Sequence, residues 1–346
     1  MVRVIGIDPG TKSFDLFGLE DDNVILDMSI PTRDISGDPD IVPCILREIS
    51  ADFIVGPSGY GIPVTHINDI GERELFLMSL VKKGDKKSIL GMRQTIYRLR
   101  EYGFPVYFIP GVIHLPTVPL FRKFNKIDMG TADKLCCTAL GIRDQALRLG
   151  RDYSETSFIM LELGYGYTAA TALNKGQVVD GIGGSSGNIG YLSLGCMDAE
   201  LAYLLGSFDK EVIFRGGVET IAHAPERVMD NETARNAYLE GVVKDVLALT
   251  ASVKPEEILI SGRLSRTSGM MEELGKRLDM APVMRVHGFG ESAKEAAQGA
   301  AVIADGLAGG KYSEMIDVMM IREAKGTSLD YILLPEIEEL KKECGV

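Results

Sequence analysis

Residues 3–20 read RVIGIDPGTKSFDLFGLE, and residues 157–173 read SFIMLELGYGYTAATAL. Each is an apolar strand that ends in an acid, bends through glycine and resumes as a second strand. An ordinary hairpin turn accounts for Pro9 and Gly10. It does not call for Asp8 before the bend and Thr11, Lys12 and Ser13 within it. The second bend offers Glu162, Gly164, Tyr165, Gly166 and Thr168 in matching places. Glycines let backbone N–H groups approach an anion, and the hydroxyls add donors. Either bend alone is compatible with a plain turn, but the equivalent pair points to a polyphosphate gripped from two sides. A divalent cation is then required, because carboxylates and phosphates repel, and oxygen ligands suit Mg²⁺.

Working outward, the first bend belongs to a meander of strands predicted over Arg3–Asp8, Phe14–Leu19 and Val24–Ile30. A helix over Asp40–Ser50 follows, then a buried strand Phe53–Gly56, helices near Arg73–Val81 and Ile89–Tyr102, and a strand Val106–Ile109. Helical spacing of Leu135, Ala139, Ile142, Ala146 and Leu149 predicts one connecting helix that ends at Gly150. The plan then repeats, with strands over Ser157–Leu163, Tyr167–Leu173 and Gln177–Ile182, helices near Asp198–Leu205 and over Glu232–Ser252, and a strand Glu257–Ile260. A helix around Met270–Leu278, a strand Val283–Val286 and a small-residue helix Ser292–Leu307 complete it. The expected units are a domain over 1–130, the connecting helix over 131–150, a second domain over 151–310 and a helical tail over 311–346. The groove between the domains is the expected ligand site.

The chain has 346 residues, 45% of them hydrophobic and 25% charged, enough for two ordinary globular cores. Its net charge of −12 opposes nucleic acid as a partner, since that binding draws on clustered Lys and Arg. The five cysteines and four histidines fall into no CxxC, HExxH or paired-His spacing, so neither a disulfide framework nor a transition-metal site is expected. With no apolar run of membrane-spanning or signal-peptide length, a cytoplasmic location is expected.

Four further segments offer chemistry. Ser261, Gly262 and Arg263 end a buried strand where an α/β sheet receives ligands. Ser58, Gly59 and Tyr60 follow another strand at an edge expected to face the groove, in reach of an acceptor. The glycine run at 181–190, GIGGSSGNIG, breaks the dinucleotide fingerprint at Ser186 and reads either as a substrate-facing loop or as a linker. Arg122, Lys123 and Lys126 form a basic cluster that either meets an anion or simply faces water, and Asp133 opens the connecting helix, where the backbone dipole alone favours an acid.

These motifs resemble a known superfamily. GIDPGTKS at 6–13 looks like the first phosphate turn of the acetate and sugar kinase, Hsp70 and actin proteins, and ELGYGYTAATALNKGQVVDG at 162–181 is similar to their second. ILISGR at 258–263 stands where they have an adenosine turn, and AAQGAA at 296–301 looks like their small-residue interdomain helix. GPSGYGIP at 56–63, PGVIHLPTVP at 110–119 and NKIDMGTADK at 125–134 resemble a family labelled predicted butyrate kinase. The resemblance implies two actin-like (ribonuclease H-like) α/β domains, each a mixed five-stranded sheet with flanking helices, closing on ATP and Mg²⁺, with the acceptor site in 1–130 and nucleotide binding in 151–310. It implies Asp8 and Glu162 as metal carboxylates, and Gly10, Thr11, Lys12, Ser13, Gly164, Tyr165, Gly166 and Thr168 as the phosphate cradle. Ser261, Gly262 and Arg263 would meet adenosine, and Asp8, Lys12 and Asp133 would be catalytic. Two positions depart from the superfamily: Glu162 where others have Asp or His, and Arg263 where a second Gly is usual.

The expected activity is phosphoryl transfer from ATP to a short-chain carboxylate, with Ser58, Gly59, Tyr60 and Arg122 at the acceptor. A hydroxyl-directed kinase using Asp133 as base and a non-enzymatic ATP-binding switch are the alternatives. An alcohol needs a base, whereas a carboxylate is already ionised at neutral pH. A small-molecule acceptor is the expected partner, with neither nucleic acid nor membrane, and a homodimer is an admissible assembly.

Overall fold

The computed structural model describes residues 1–82, 92–224 and 227–346. The first sheet contains β1 (Arg3–Pro9), β2 (Ser13–Glu20), β3 (Asn23–Pro31), β4 (Phe53–Val55), β5 (Thr65–His66) and β6 (Val106–Phe108), in the order β3-β2-β1-β4-β6-β5. β1 to β3 form the antiparallel meander, and β4 and β6 continue the sheet in parallel. The second sheet repeats this plan with β7 (Phe158–Leu163), β8 (Thr168–Asn174), β9 (Gln177–Ile182), β10 (Glu257–Ser261) and β11 (Val283–Arg285), in the order β11-β10-β7-β8-β9. The first sheet exceeds the expected five strands by β5, a two-residue strand that pairs Thr65 with Phe108. So short a segment carries no alternation for sequence to reveal.

The strands read as nearly unbroken apolar runs because both faces of each sheet are covered. In β1, Val4 faces inward and Ile5 and Ile7 outward; in β7, Phe158 and Met160 face inward and Ile159 and Leu161 outward. The inner layer is a pair of helices, Ala132–Leu149 and Glu295–Leu307, sandwiched between the two sheets. The outer face of the first sheet is covered by helices Ile41–Ile49, Glu72–Ser79 and Met92–Glu101. Helices Glu232–Leu249 and Met270–Arg277 cover that of the second. Of the helix expected over Ile89–Tyr102, residues 89–91 lie outside the described residues.

The helix expected from Ser292 begins at Glu295 instead. The amides of Glu291, Ser292 and Ala293 donate to the Asp27 carboxylate at 3.1, 3.1 and 2.6 Å, which holds that stretch as a turn. The tail runs back along the first domain: Lys325 donates to the His114 carbonyl at 3.0 Å, and Asn125 to that of Tyr331 at 2.9 Å. All five cysteines are free, and no helix among the described residues is long and apolar enough to cross a membrane.

Candidate active site

Strands β1 and β7 occupy the same place in their sheets, so their carboxyl ends deliver the two glycine bends to opposite walls of one cleft. The walls touch. The Lys12 ammonium lies 3.5 Å from the centre of the Tyr165 ring, and a Cβ on Gly166 would come within 2.9 Å of the Thr11 hydroxyl. Gly166 therefore permits an approach that a side chain would obstruct. Gly10, Thr11, Lys12 and Ser13 line one wall and Gly164, Tyr165 and Gly166 the other. Gly262 and Arg263 line the cleft too, and Arg263 reaches across the domains to donate to the Ser13 hydroxyl at 3.0 Å.

The floor is a cluster of acids held by two lysines. Asp8, 6% exposed, accepts from Lys294 at 2.6 Å, and the same ammonium pairs with the fully buried Asp15 at 3.1 Å. Burial raises the Asp8 carboxyl, and Lys294 only partly offsets it. On the far side, the Lys134 ammonium stands between Asp133 at 2.5 Å and Glu162 at 2.9 Å. Thr131 donates its hydroxyl to the other Asp133 oxygen. Burial raises the Asp133 carboxyl, but Lys134 and Thr131 outweigh it and the net direction is down. Glu162 goes the other way, raised by burial more than Lys134 lowers it. Both ammonium groups are held well above the usual lysine range by their acids, despite burial.

The acceptor segment also reaches the cleft. Ser58, Gly59 and Tyr60 line it beside Val55, Met78, Met92, Ile109 and Phe214. The Ser58 hydroxyl, however, is a brace, donating to the Gly56 carbonyl and accepting from the Ile109 amide, both at 3.0 Å. Burial, followed by the nearby Asp128 charge, raises the Tyr60 phenol, so it stays protonated. The glycine run is no loose linker. Ser185 donates its amide and hydroxyl to Asp128 at 3.2 Å, Asn188 is held by Asp245, and Gly184 lines the cleft.

Three expected residues lie elsewhere. Thr168 opens β8 on the outer face, where its hydroxyl meets that of Tyr238 at 3.0 Å rather than the cleft. Ser261 is fully buried on the inner face of β10, toward Cys137 of the connecting helix, leaving only Gly262 and Arg263 of that turn at the cleft. Arg122 is turned to β9, donating to the Val179 carbonyl at 2.7 Å with Asp180 at 3.6 Å, so it faces no acceptor. Its neighbour Lys123 is buried as well, bonded to the Leu115 carbonyl at 2.7 Å.

Lys134, Lys294 and Asp15 were not foreseen. Asp15 left a signal, an acid between Phe14 and Leu16 in an otherwise apolar strand. Lys294 left a weaker one, a lone cation before a helix of small residues. Lys134 is the direct neighbour of an acid that sequence did single out. For the metal, no group of three His, Cys, Asp or Glu among the described residues is arranged to cage an ion. Mg²⁺ does not need such a cage, because one or two carboxylates with water and phosphate suffice. Asp8 and Glu162 fit that demand: both line the cleft, where they, Asp133 and the buried Asp15 set four carboxylates against two ammonium groups, and an Asp15 oxygen is buried with no donor.

The same architecture occurs in solved kinases. Acetate kinase from Porphyromonas gingivalis superposes with a TM-score of 0.62 at 13% identity, over 87% of this chain and 98% of that one. Acetate kinase from Entamoeba histolytica gives 0.60 at 12% over 80% and 86%, and a propionate kinase from Francisella tularensis gives 0.59 at 13% over 87% and 98%. At these identities the likeness is one of fold, and the chain has the two-domain α/β fold of the acetate and propionate kinases. No curated protein matches the chain in sequence. A sequence family does match, over residues 6–334 and so over both sheets and the cleft between them, and the chain belongs to it: the family described as "Protein of unknown function (DUF1464)".

Proposed function

We propose that the protein transfers the γ-phosphoryl group of ATP, taken with Mg²⁺, to a small carboxylic acid of the short-chain, butyrate-like class. The observation that carries the kinase reading is the meeting of the two glycine bends over one cleft, Lys12 against Tyr165 and Thr11 against Gly166. Gly10, Thr11, Lys12 and Ser13 then cradle the phosphates from the first domain, and Gly164, Tyr165 and Gly166 from the second. Gly262 and Arg263 stand on the nucleoside side. Asp8 and Glu162 would hold the metal, directly or through water, and the bound metal would neutralise the phosphates. Catalysis in such a site is largely positioning and charge stabilisation.

Two features favour an acid over an alcohol. Both oxygens of Asp133 are engaged, by Lys134 and Thr131, which makes it a weak base. An alcohol needs a base and a carboxylate does not. Val55, Met78, Met92, Ile109 and Phe214 are among the residues that line the cleft with Ser58, Gly59 and Tyr60, and apolar side chains of this kind suit an alkyl chain better than a sugar. Kinship of fold with acetate and propionate kinases points the same way without deciding the acceptor.

The test is ADP release from MgATP against panels of short acids, alcohols and sugars, with hydroxylamine to trap an acyl phosphate. An acid-dependent hydroxamate is the expected product. Turnover with alcohols or sugars alone would overturn the acid reading, and MgATP binding without turnover for any acceptor would favour a nucleotide-dependent switch.

A further inference from the structure

Lys134 occupies a position that the cradle alone does not require. The amide of Ala132 donates to the Gly59 carbonyl at 3.0 Å, so the first turn of the connecting helix is fastened to the acceptor segment. Lys134 projects from that turn and reaches Glu162, at the foot of the second phosphate bend. Its ammonium thus stands between the acceptor end and the phosphate end, and it lines the cleft. The side chain is only 13% exposed and is gripped by acids on two sides. An ammonium group has three N–H donors; one is given to Asp133, and Glu162 faces the same charge as an ion pair at 2.9 Å.

Arranged in this way, the group is pre-organised. Its position is fixed before substrate arrives, with one carboxylate at 2.5 Å and another at 2.9 Å on either side of it. A cation held so, in a partly dehydrated cleft, stabilises charge that develops during reaction without having to move.

We infer that Lys134 is a catalytic residue, one of whose N–H groups not given to Asp133 donates to a non-bridging oxygen of the phosphoryl group in transit from ATP to the acceptor. The inference rests on the kinase reading above. In the transfer, an acceptor carboxylate oxygen forms the new bond to phosphorus while the bond to the β–γ bridging oxygen breaks, its electron pair leaving with ADP. Lys134 keeps its proton throughout. This assignment differs from a role in binding the nucleotide, because the donor acts on the group that moves.

The experiment compares wild type with Lys134→Met for turnover, for MgADP affinity, and for affinity toward MgADP with aluminium fluoride and an acid acceptor, a mimic of the transferring group. The expected result is a kcat about 10²–10³-fold lower, with a parallel loss for the mimic. MgADP affinity should change by less than about threefold, as for an interaction made only at the transition state. Undiminished kcat, or equal losses for MgADP and the mimic, would overturn the inference. Lys134→Gln removes the charge but keeps a polar amide N–H at the position beside Asp133 and carries the same expectation, so a methionine variant that melts early does not end the test. A wild-type protein that binds MgATP but phosphorylates nothing would sink the kinase reading and this inference together. Wild-type turnover alongside an undiminished Lys134→Gln sinks this inference alone.

Discussion

Single residues in this protein divide by whether their polar atoms are already spoken for inside the fold. Asp8 is at the cleft with its carboxyl raised by burial and only one lysine to balance it against neighbouring acids. Asp8→Asn should weaken MgATP binding about tenfold or more, about 1.4 kcal/mol, read by calorimetric titration. An unchanged Kd would count heavily against the assignment of the bend. Arg122 makes the opposite prediction, since its guanidinium is committed to Val179 and Asp180 on β9. Arg122→Ala should leave the acceptor KM unaltered and cost about 1 kcal/mol of stability at most, seen as a small fall in Tm. Sequence could mark the bends because glycine, acid and hydroxyl sit together in one short stretch. It could not separate Thr168 from Gly166, because which face of β8 its first residue takes depends on the pairing of Leu163 with Thr168. Nor could it find Lys294, which reaches Asp8 from 286 residues away.

At the scale of elements, the helix pair between the sheets is set by small residues. A Cβ on Gly299 would lie 1.9 Å from the Cys136 carbonyl of the connecting helix, a distance no real contact reaches. Gly299→Ala should force the helices apart at a cost of about 1–3 kcal/mol or more, measured as a lowered denaturation midpoint. An alanine variant as stable as wild type would mean that the helices are not packed this tightly. The AAQGAA stretch signals such packing in sequence, but not its partner. The segment after β6 makes a pH prediction. Burial holds the His114 imidazole at about 4, below its usual 6.5; the Gly111 backbone bonded to it, Lys123 and Asp330 are the groups that face it. Because the folded value is the lower one, the unfolded chain binds this proton more readily. The contribution is therefore complete above about pH 6.5 and is lost as pH falls toward 4, by about 3 kcal/mol at most. His114→Asn, which keeps an acceptor near the Gly111 amide, should flatten Tm against pH in that window, and an unaltered slope would exclude His114 as its source.

For the whole molecule, the two-domain pattern was legible because β-branched runs and turns recur in the same order in both halves. What the pattern hides is that the halves share a core. Helix Glu295–Leu307 follows the strands of the second sheet in sequence, yet packs on β1, β2 and β4 of the first. Val4, Phe17 and Leu19 of the first sheet, Phe158 and Met160 of the second, and Ala297 and Ala301 of this helix belong to one buried cluster. Calorimetry should therefore record one cooperative unfolding transition, and a fragment ending at residue 150 should fail to give a stable fold. Two resolved transitions would contradict the shared core.

That helix also imposes an order on biosynthesis. The inner face of the amino-terminal sheet finds its permanent cover only when residue 307 has been made, 287 positions after β2 ends at Glu20. At about 5–20 residues per second the ribosome leaves that apolar face waiting for roughly 15–60 s. The nascent protein thus carries an adhesive surface through most of its own translation, and its yield in cells should depend on holdase chaperones far more than the stability of the finished molecule would suggest.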